Sequence, residues 1–127
     1  MMDDAWNKGV EVFDAVYGPG SSEMVKGLED SMYVGETVRH LFGDIWALPN
    51  LSTRDKRLLV IGATTMLGRS DLIAVQVAGA IVNEELNDAQ LEEIKMLMLF
   101  YAGAGNTTAL QQGFALAKER AKGMQGK

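Results

Sequence analysis

Apolar residues recur three and four positions apart along almost the whole chain, and the alternation of Val, Ile, Thr and Tyr that marks strands is missing. The pattern predicts an all-α fold of about six or seven helices. Asp3 or Asp4 can cap a first helix with the stripe Trp6, Val10, Phe13, Ala15 and Val16, stopped by Gly18-Pro19-Gly20. Ser21-Ser22-Glu23 opens a second through Met24, Val25, Leu28 and Met32. A third runs from about Gly35 through Val38, Leu41, Phe42, Ile45 and Trp46, and ends before Pro49 because a residue preceding proline avoids the helical region. Leu51 to Asp55 reads as the hydroxyl-capped start of a fourth helix, with Asp55 where the capping pattern favours Glu, and Gly68 breaks it. Ser70 caps a fifth helix reaching about Glu85, and Asn87-Asp88 caps a sixth that carries Leu91, Ile94, Met98 and Tyr101. Gly103-Ala104-Gly105-Asn106 makes the next break, and Thr107 to about Lys122 forms the last helix before a frayed basic tail. No repeat or linker divides the pattern, so a single domain over 1–127 is expected.

The fourth and fifth helices are apolar on nearly every side, over Leu58 to Leu67 and Leu72 to Val82, and such helices need burial all round. A domain of this size surrounds about one central helix, so part of this surface reads as a subunit interface. The alternative is a monomer with a tight helical hairpin at its centre. The cluster Met96 to Tyr101 reads as core packing, since Met fills irregular gaps.

Composition narrows the chemistry. The chain has no cysteine, which excludes disulfides, thiolate metal sites and thiol redox mechanisms, and its one histidine rules out a multi-histidine metal site within a single subunit. Net charge is −5, and the basic residues are dispersed, which argues against a nucleic-acid partner. Both long apolar stretches fall short of the ~20 residues that span a bilayer, and Met1-Met2-Asp3-Asp4 lacks the basic lead of a secretory signal, so a cytoplasmic address is expected.

Candidate reactive residues are few. His40 has Glu36 one helical turn before it and Asp44 one turn after, the grouping that general acid/base catalysis uses; the competing reading is a surface ion pair. Arg54 and Arg57, with Lys56 between them and Arg69 further on, suit a carboxylate-bearing small molecule, or else pair with Asp55, Asp71 and helix ends. Gln76 is the only strongly polar side chain in its apolar run, so it either hydrogen-bonds within a core or faces a cavity. Glu84-Glu85 and Glu92-Glu93 read as solvated helix faces, and Gly103-Ala104-Gly105 is no phosphate loop because no strand precedes it.

The run Arg39-His40-Leu41-Phe42-Gly43-Asp44-Ile45-Trp46, then Pro49-x-Leu51 and Arg54-x-x-Arg57-x-Leu59, resembles the carboxymuconolactone decarboxylase family. Gly9-Val10-x-Val12-x-x-Ala15-Val16-x-Gly18 is similar to its opening helix, Leu67-Gly68-Arg69 with Asp71-Leu72 to its central G-R-x-E-L motif, and Tyr101-Ala102-Gly103 to its Y-C-G. The resemblance implies an alkylhydroperoxidase D-like helical fold in a homo-oligomer, a hexamer or trimer. It also implies a carboxy-lyase without cofactor or metal that converts γ-carboxymuconolactone to an enol-lactone in aromatic catabolism.

Two departures qualify it. The redox branch's Cys-x-x-Cys-x-x-x-His positions fall on Arg69, Leu72 and Gln76, so its thiols are gone, and with a one-residue gap the decarboxylase branch's histidine also falls on Gln76. The loop Asn83-Glu84-Glu85-Leu86 is one residue longer than the family's and has Glu where the family has Gly. The resulting expectation is His40 as general acid/base, Gln76 as hydrogen-bond donor to a substrate oxygen, and Arg39, Arg54 and Arg57 as anion binders. Trp46 and Tyr101 are expected as apolar walls. If His40 is only structural, the proton comes from a carboxylic acid such as Glu93 or from water. The alternative function is a non-redox member serving as a small-molecule-binding or structural oligomer.

Overall fold

Asp3, rather than Asp4, caps the first helix of the computed structural model, which describes residues 3–125: its carboxylate accepts the Trp6 N–H at 2.9 Å. The helices are α1 (Asp4–Tyr17), α2 (Met32–Glu36), α3 (Thr53–Met66), α4 (Ser70–Val82), α5 (Asp88–Ala102) and α6 (Ala104–Gln125). No strand occurs among the described residues, as the periodicity predicts. No helix among them is long and apolar enough to cross a membrane. The contacts gather into two compact units, Met1–Thr53 and Arg54–Lys127.

In the first unit the expected second helix is interrupted. A 3-10 turn covers Ser21–Val25, Gly27 then adopts φ 81°, and Ser31 caps α2 by accepting the Val34 N–H at 3.2 Å. The expected third helix is α2 running on into a π-helical stretch, Thr37–Ile45, closed by a Trp46 N–H to Leu41 carbonyl bond of 2.8 Å. Helix α1 buries Trp6, Gly9, Phe13 and Val16, while Ala15 of the expected stripe is exposed. A side-chain carbon on Gly9 would collide with the Val38 carbonyl, so only glycine permits this approach of α1 to the π-helical stretch. Phe13, Tyr17, Phe42 and Trp46 form an aromatic cluster, with Phe42 stacked on Trp46 at 6.2 Å between ring centroids.

The second unit is built around α4, whose residues Ile73, Ala74, Gln76, Val77, Ala78, Gly79 and Ala80 are all buried. Gly113 of α6 faces Ile73 so closely that any side-chain carbon there would meet the Ile73 methyl at 2.6 Å. The Ile73 side chain of α4 therefore packs on the bare backbone of α6, and Ile61, Leu86, Leu91, Leu110 and Phe114 complete the core. The apolar surplus lies only partly where the sequence places it. Of Leu72 to Val82, the residues Ile73, Ala74 and Gln76 to Ala80 are buried inside the subunit while Leu72 is exposed, and Leu59, Met66 and Leu67 of the α3 region and Met96, Leu97, Phe100 and Tyr101 of α5 are exposed as well. The Met96 to Tyr101 cluster is thus mostly surface and not core, because α5 offers the interior only the side that carries Leu91.

Helix ends explain the remaining differences. α3 stops in a motif where Gly68, at φ 66°, donates to the Thr65 carbonyl and Arg69 donates to the Thr64 carbonyl. α4 stops the same way three residues before Glu85, with Glu84 at φ 57° donating to Ile81 and Glu85 donating to Ala80. Ser70 is the first residue of α4 and makes no cap; Arg69 occupies that place. The polar run after Gly103 is helical, since Asn106, Thr107 and Thr108 return side-chain hydrogen bonds to the carbonyls of Ala102, Gly103 and Ala104. Helix α6 continues to Gln125, beyond the expected Lys122, and the end of the expected basic tail, Gly126 and Lys127, lies outside the described residues.

Candidate functional site

Arg54 and Arg57 sit one turn apart on α3, yet their side chains diverge. Arg57 turns inward and is fully buried. Its Nε and one terminal nitrogen donate to the two Glu85 carboxylate oxygens at 2.6 and 3.0 Å. The other terminal nitrogen donates to the Gln76 carbonyl at 2.9 Å and to the Gln76 amide oxygen at 3.2 Å. Both carboxylate oxygens and both Gln76 oxygens thus converge on one guanidinium, the fork geometry in which Arg holds an anion best. Of the two readings of Gln76, the first describes what is seen: it is buried and hydrogen-bonded within the core. Arg57 is equally engaged, so it holds Glu85 and Gln76 in place of a ligand.

Arg54 turns the other way. Its Nε donates to the Glu85 carbonyl at 3.1 Å, which ties it to the same loop, and its side chain lines a cavity of about 450 Å³. That volume lies in the ordinary range for a small-molecule site, roughly 300–1,000 Å³. Helix α3 supplies Arg54, Leu58, Ile61 and Gly62; the α4–α5 loop supplies Leu86; α5 supplies Gln90, Glu93, Ile94, Leu97 and Met98. The lining is apolar except for one guanidinium, one carboxylate and one amide, a sparse polar set on a greasy wall.

Gln90 is fixed by the start of α5. Asn87 caps the helix by accepting the Gln90 N–H at 2.9 Å, and the Gln90 amide oxygen accepts the Asn87 N–H at 2.8 Å. This reciprocal capping box is readable as Asn87-x-x-Gln90, the signal by which Gln90 is recognisable in the sequence. Glu85 has only the look of a solvated carboxylate in the sequence. Its side chain is just 12% exposed and clamped on Arg57, while Glu93 is exposed, as a solvated face requires, and lines the cavity. Glu92 fits the solvated description, pairing with Lys95 at 2.6 Å.

The other candidates lie outside this cavity. Arg39 donates to Asp3 and to the Glu29 carbonyl and lies over the Trp6 ring at 5.3 Å, a structural bracket for the first unit. The hydrogen bonds that the Arg39 guanidinium donates to the Asp3 carboxylate lower the pKa of the acid and raise that of the guanidinium. His40 is exposed, and of its two expected partners it meets Asp44, Nδ1 to Oδ2, at 3.1 Å. Trp46 is buried in the aromatic cluster, and Tyr101 is exposed on α5. Arg69 forms a two-point pair with Asp71, which pulls the Asp71 carboxyl down to about 2. Among the described residues no group of three or more His, Asp or Glu side chains is gathered as a metal cage.

Residues 34–119 match the model of the carboxymuconolactone decarboxylase family. The chain belongs to that family. No curated protein and no solved structure matches it. In this carboxymuconolactone decarboxylase family member the matched stretch begins in α2 and ends in α6, so it takes in the Arg39 to Trp46 segment and the whole cavity lining. Helix α1 precedes it. Membership indicates a function related to the decarboxylase and alkylhydroperoxidase branches, and the lack of any cysteine removes the thiol route for this protein.

Proposed function

We propose that the chain is a cofactor-independent lyase acting on a small carboxylated lactone of the γ-carboxymuconolactone type. The observation that carries this reading is the cavity of about 450 Å³ in which Arg54, Gln90 and Glu93 are the polar groups on an apolar lining. Arg54 takes a carboxylate that the substrate retains. The carboxylate to be lost lies against Leu58, Ile61 and Met98, where lost hydration disfavours the anion and not the neutral carbon dioxide it becomes. As the carbon–carbon bond breaks, its electron pair passes into the lactone as an enolate, and a ring carbon then accepts a proton. Glu93 is the cavity group placed to relay that proton from water to the ring carbon. His40, beside Asp44, is the second candidate for the same proton.

Incubation with γ-carboxymuconolactone, following lactone absorbance and released carbon dioxide, tests the reading. The wild-type protein should turn over, and R54A and E93Q should each lower kcat/KM by on the order of a hundredfold. An H40N variant that loses as much assigns the proton to His40; one that keeps full activity makes His40 structural. Absence of turnover by the wild type overturns the lyase and favours the second reading, an oligomer that binds without reacting. Gln76 supports that alternative, because it stands at the position of the decarboxylase histidine and is held by the buried Arg57.

We further propose that the subunits assemble through the exposed apolar residues of the α3 region and α5, since Leu59, Leu67, Leu97 and Phe100 are left bare and large exposed apolar side chains mark association surfaces. Light scattering should return a multiple of 13.8 kDa. A stable monomer at micromolar concentration refutes it.

A further inference from the structure

We propose that Gln90 is the specificity-determining donor of the cavity, giving its amide N–H to a neutral oxygen of the ligand while Arg54 holds the ligand's carboxylate. The inference rests on the reading of the cavity as the site. It goes beyond that reading in naming the second recognition point, the role that sequence reasoning gave to Gln76.

The orientation follows from the capping box. A backbone N–H can only donate, so the Asn87 N–H, 2.8 Å from the Gln90 amide, must face its oxygen. The amide nitrogen is then the polar end that a cavity-lining Gln90 has left to offer, and it can only donate. A ligand carboxylate prefers the charge-assisted bond to Arg54, so Gln90 is left for a carbonyl or ring oxygen. In a reaction that moves charge onto a lactone oxygen, the same N–H strengthens its bond as the transition state forms.

The helix cap also supplies a clean variant. Glu is itself a favoured residue at this place in a capping box, so Gln90→Glu keeps an oxygen on the Asn87 N–H while exchanging the donor for an acceptor. Two probes of similar ring size are titrated by calorimetry: γ-butyrolactone-γ-carboxylate, which has neutral oxygens, and cyclopentanecarboxylate, which has none. The wild type should bind the lactone about 3–10-fold more tightly, the worth of one hydrogen bond. R54A should weaken both probes, and Q90E should abolish the preference with an unchanged melting temperature. A preference that survives in Q90E overturns the inference and leaves the cavity reading standing. Failure of both probes to bind the wild type, or indifference of both to R54A, overturns the cavity reading and the role of Gln90 with it.

Discussion

Replacing Glu85 by Ala leaves the Arg57 guanidinium buried without its counter-charge. Removing one partner of a buried ion pair costs about 3–5 kcal/mol, because the remaining charge has neither water nor an opposite charge to face. Arg57 is fully buried and Glu85 nearly so, which puts the pair in this class and not among exposed pairs worth about 0–1 kcal/mol. Two Arg57 contacts survive in E85A, those to the Gln76 carbonyl and amide oxygen, so the loss should fall near the lower end, about 3 kcal/mol. With a urea slope of about 2 kcal/mol per molar, the unfolding midpoint should drop by roughly 1.5 M at fixed protein concentration. The double variant R57M/E85L removes both charges and fills the space with apolar groups, so it should return to within about 1 kcal/mol of the wild type. A loss below about 1 kcal/mol in E85A, or a double variant no better than the single, refutes the reasoning.

Glu84 holds the left-handed place that Gly68 holds at the end of α3, and a side chain there costs about 1–2 kcal/mol, against about 0.5–1 kcal/mol for the greater freedom of an unfolded glycine. E84G should therefore raise the melting temperature by a few degrees, and a lowered value sinks the strain argument. Asp71 titrates near 2, below its ordinary 3.8, so its pairing with Arg69 stabilises the fold fully above about pH 4 and is lost as pH falls toward 2. In R69A the carboxyl followed by NMR should titrate near the ordinary value; an unmoved midpoint contradicts the assignment. G9A forces a methyl group into the Val38 carbonyl and should lower the melting temperature far more than an alanine at the open position Gly62.

The helical class, the caps at Asp3 and Asn87 and the stop at Gly68 were legible because each depends on local spacing alone. The end of α4 was not, since a Glu in the left-handed position carries none of glycine's signal. The surroundings of the aromatic and arginine candidates were hidden for a different reason. Spacing gives a helical face but not what that face meets, so Arg54 and Arg57 looked alike although one lines the cavity and the other anchors Glu85. Glu85 was equally opaque, because an acidic pair at a helix end reads as solvated until the segment that folds over it is known.

The hairpin of α5 and α6 turns on Gly103 alone, at φ 86°, and its two arms are held very unequally. Helix α6 is locked against α4, whereas α5 has Leu91 as its only buried residue. Amide protons of α5 should therefore exchange with solvent through subglobal openings that leave the α4–α6 pair intact. Half of the cavity lining rides on that loosely held arm, so a small molecule entering between α3 and α5 has no need of global unfolding, and its arrival would be recorded as slowed exchange along α5 while α4 keeps the rate it had before.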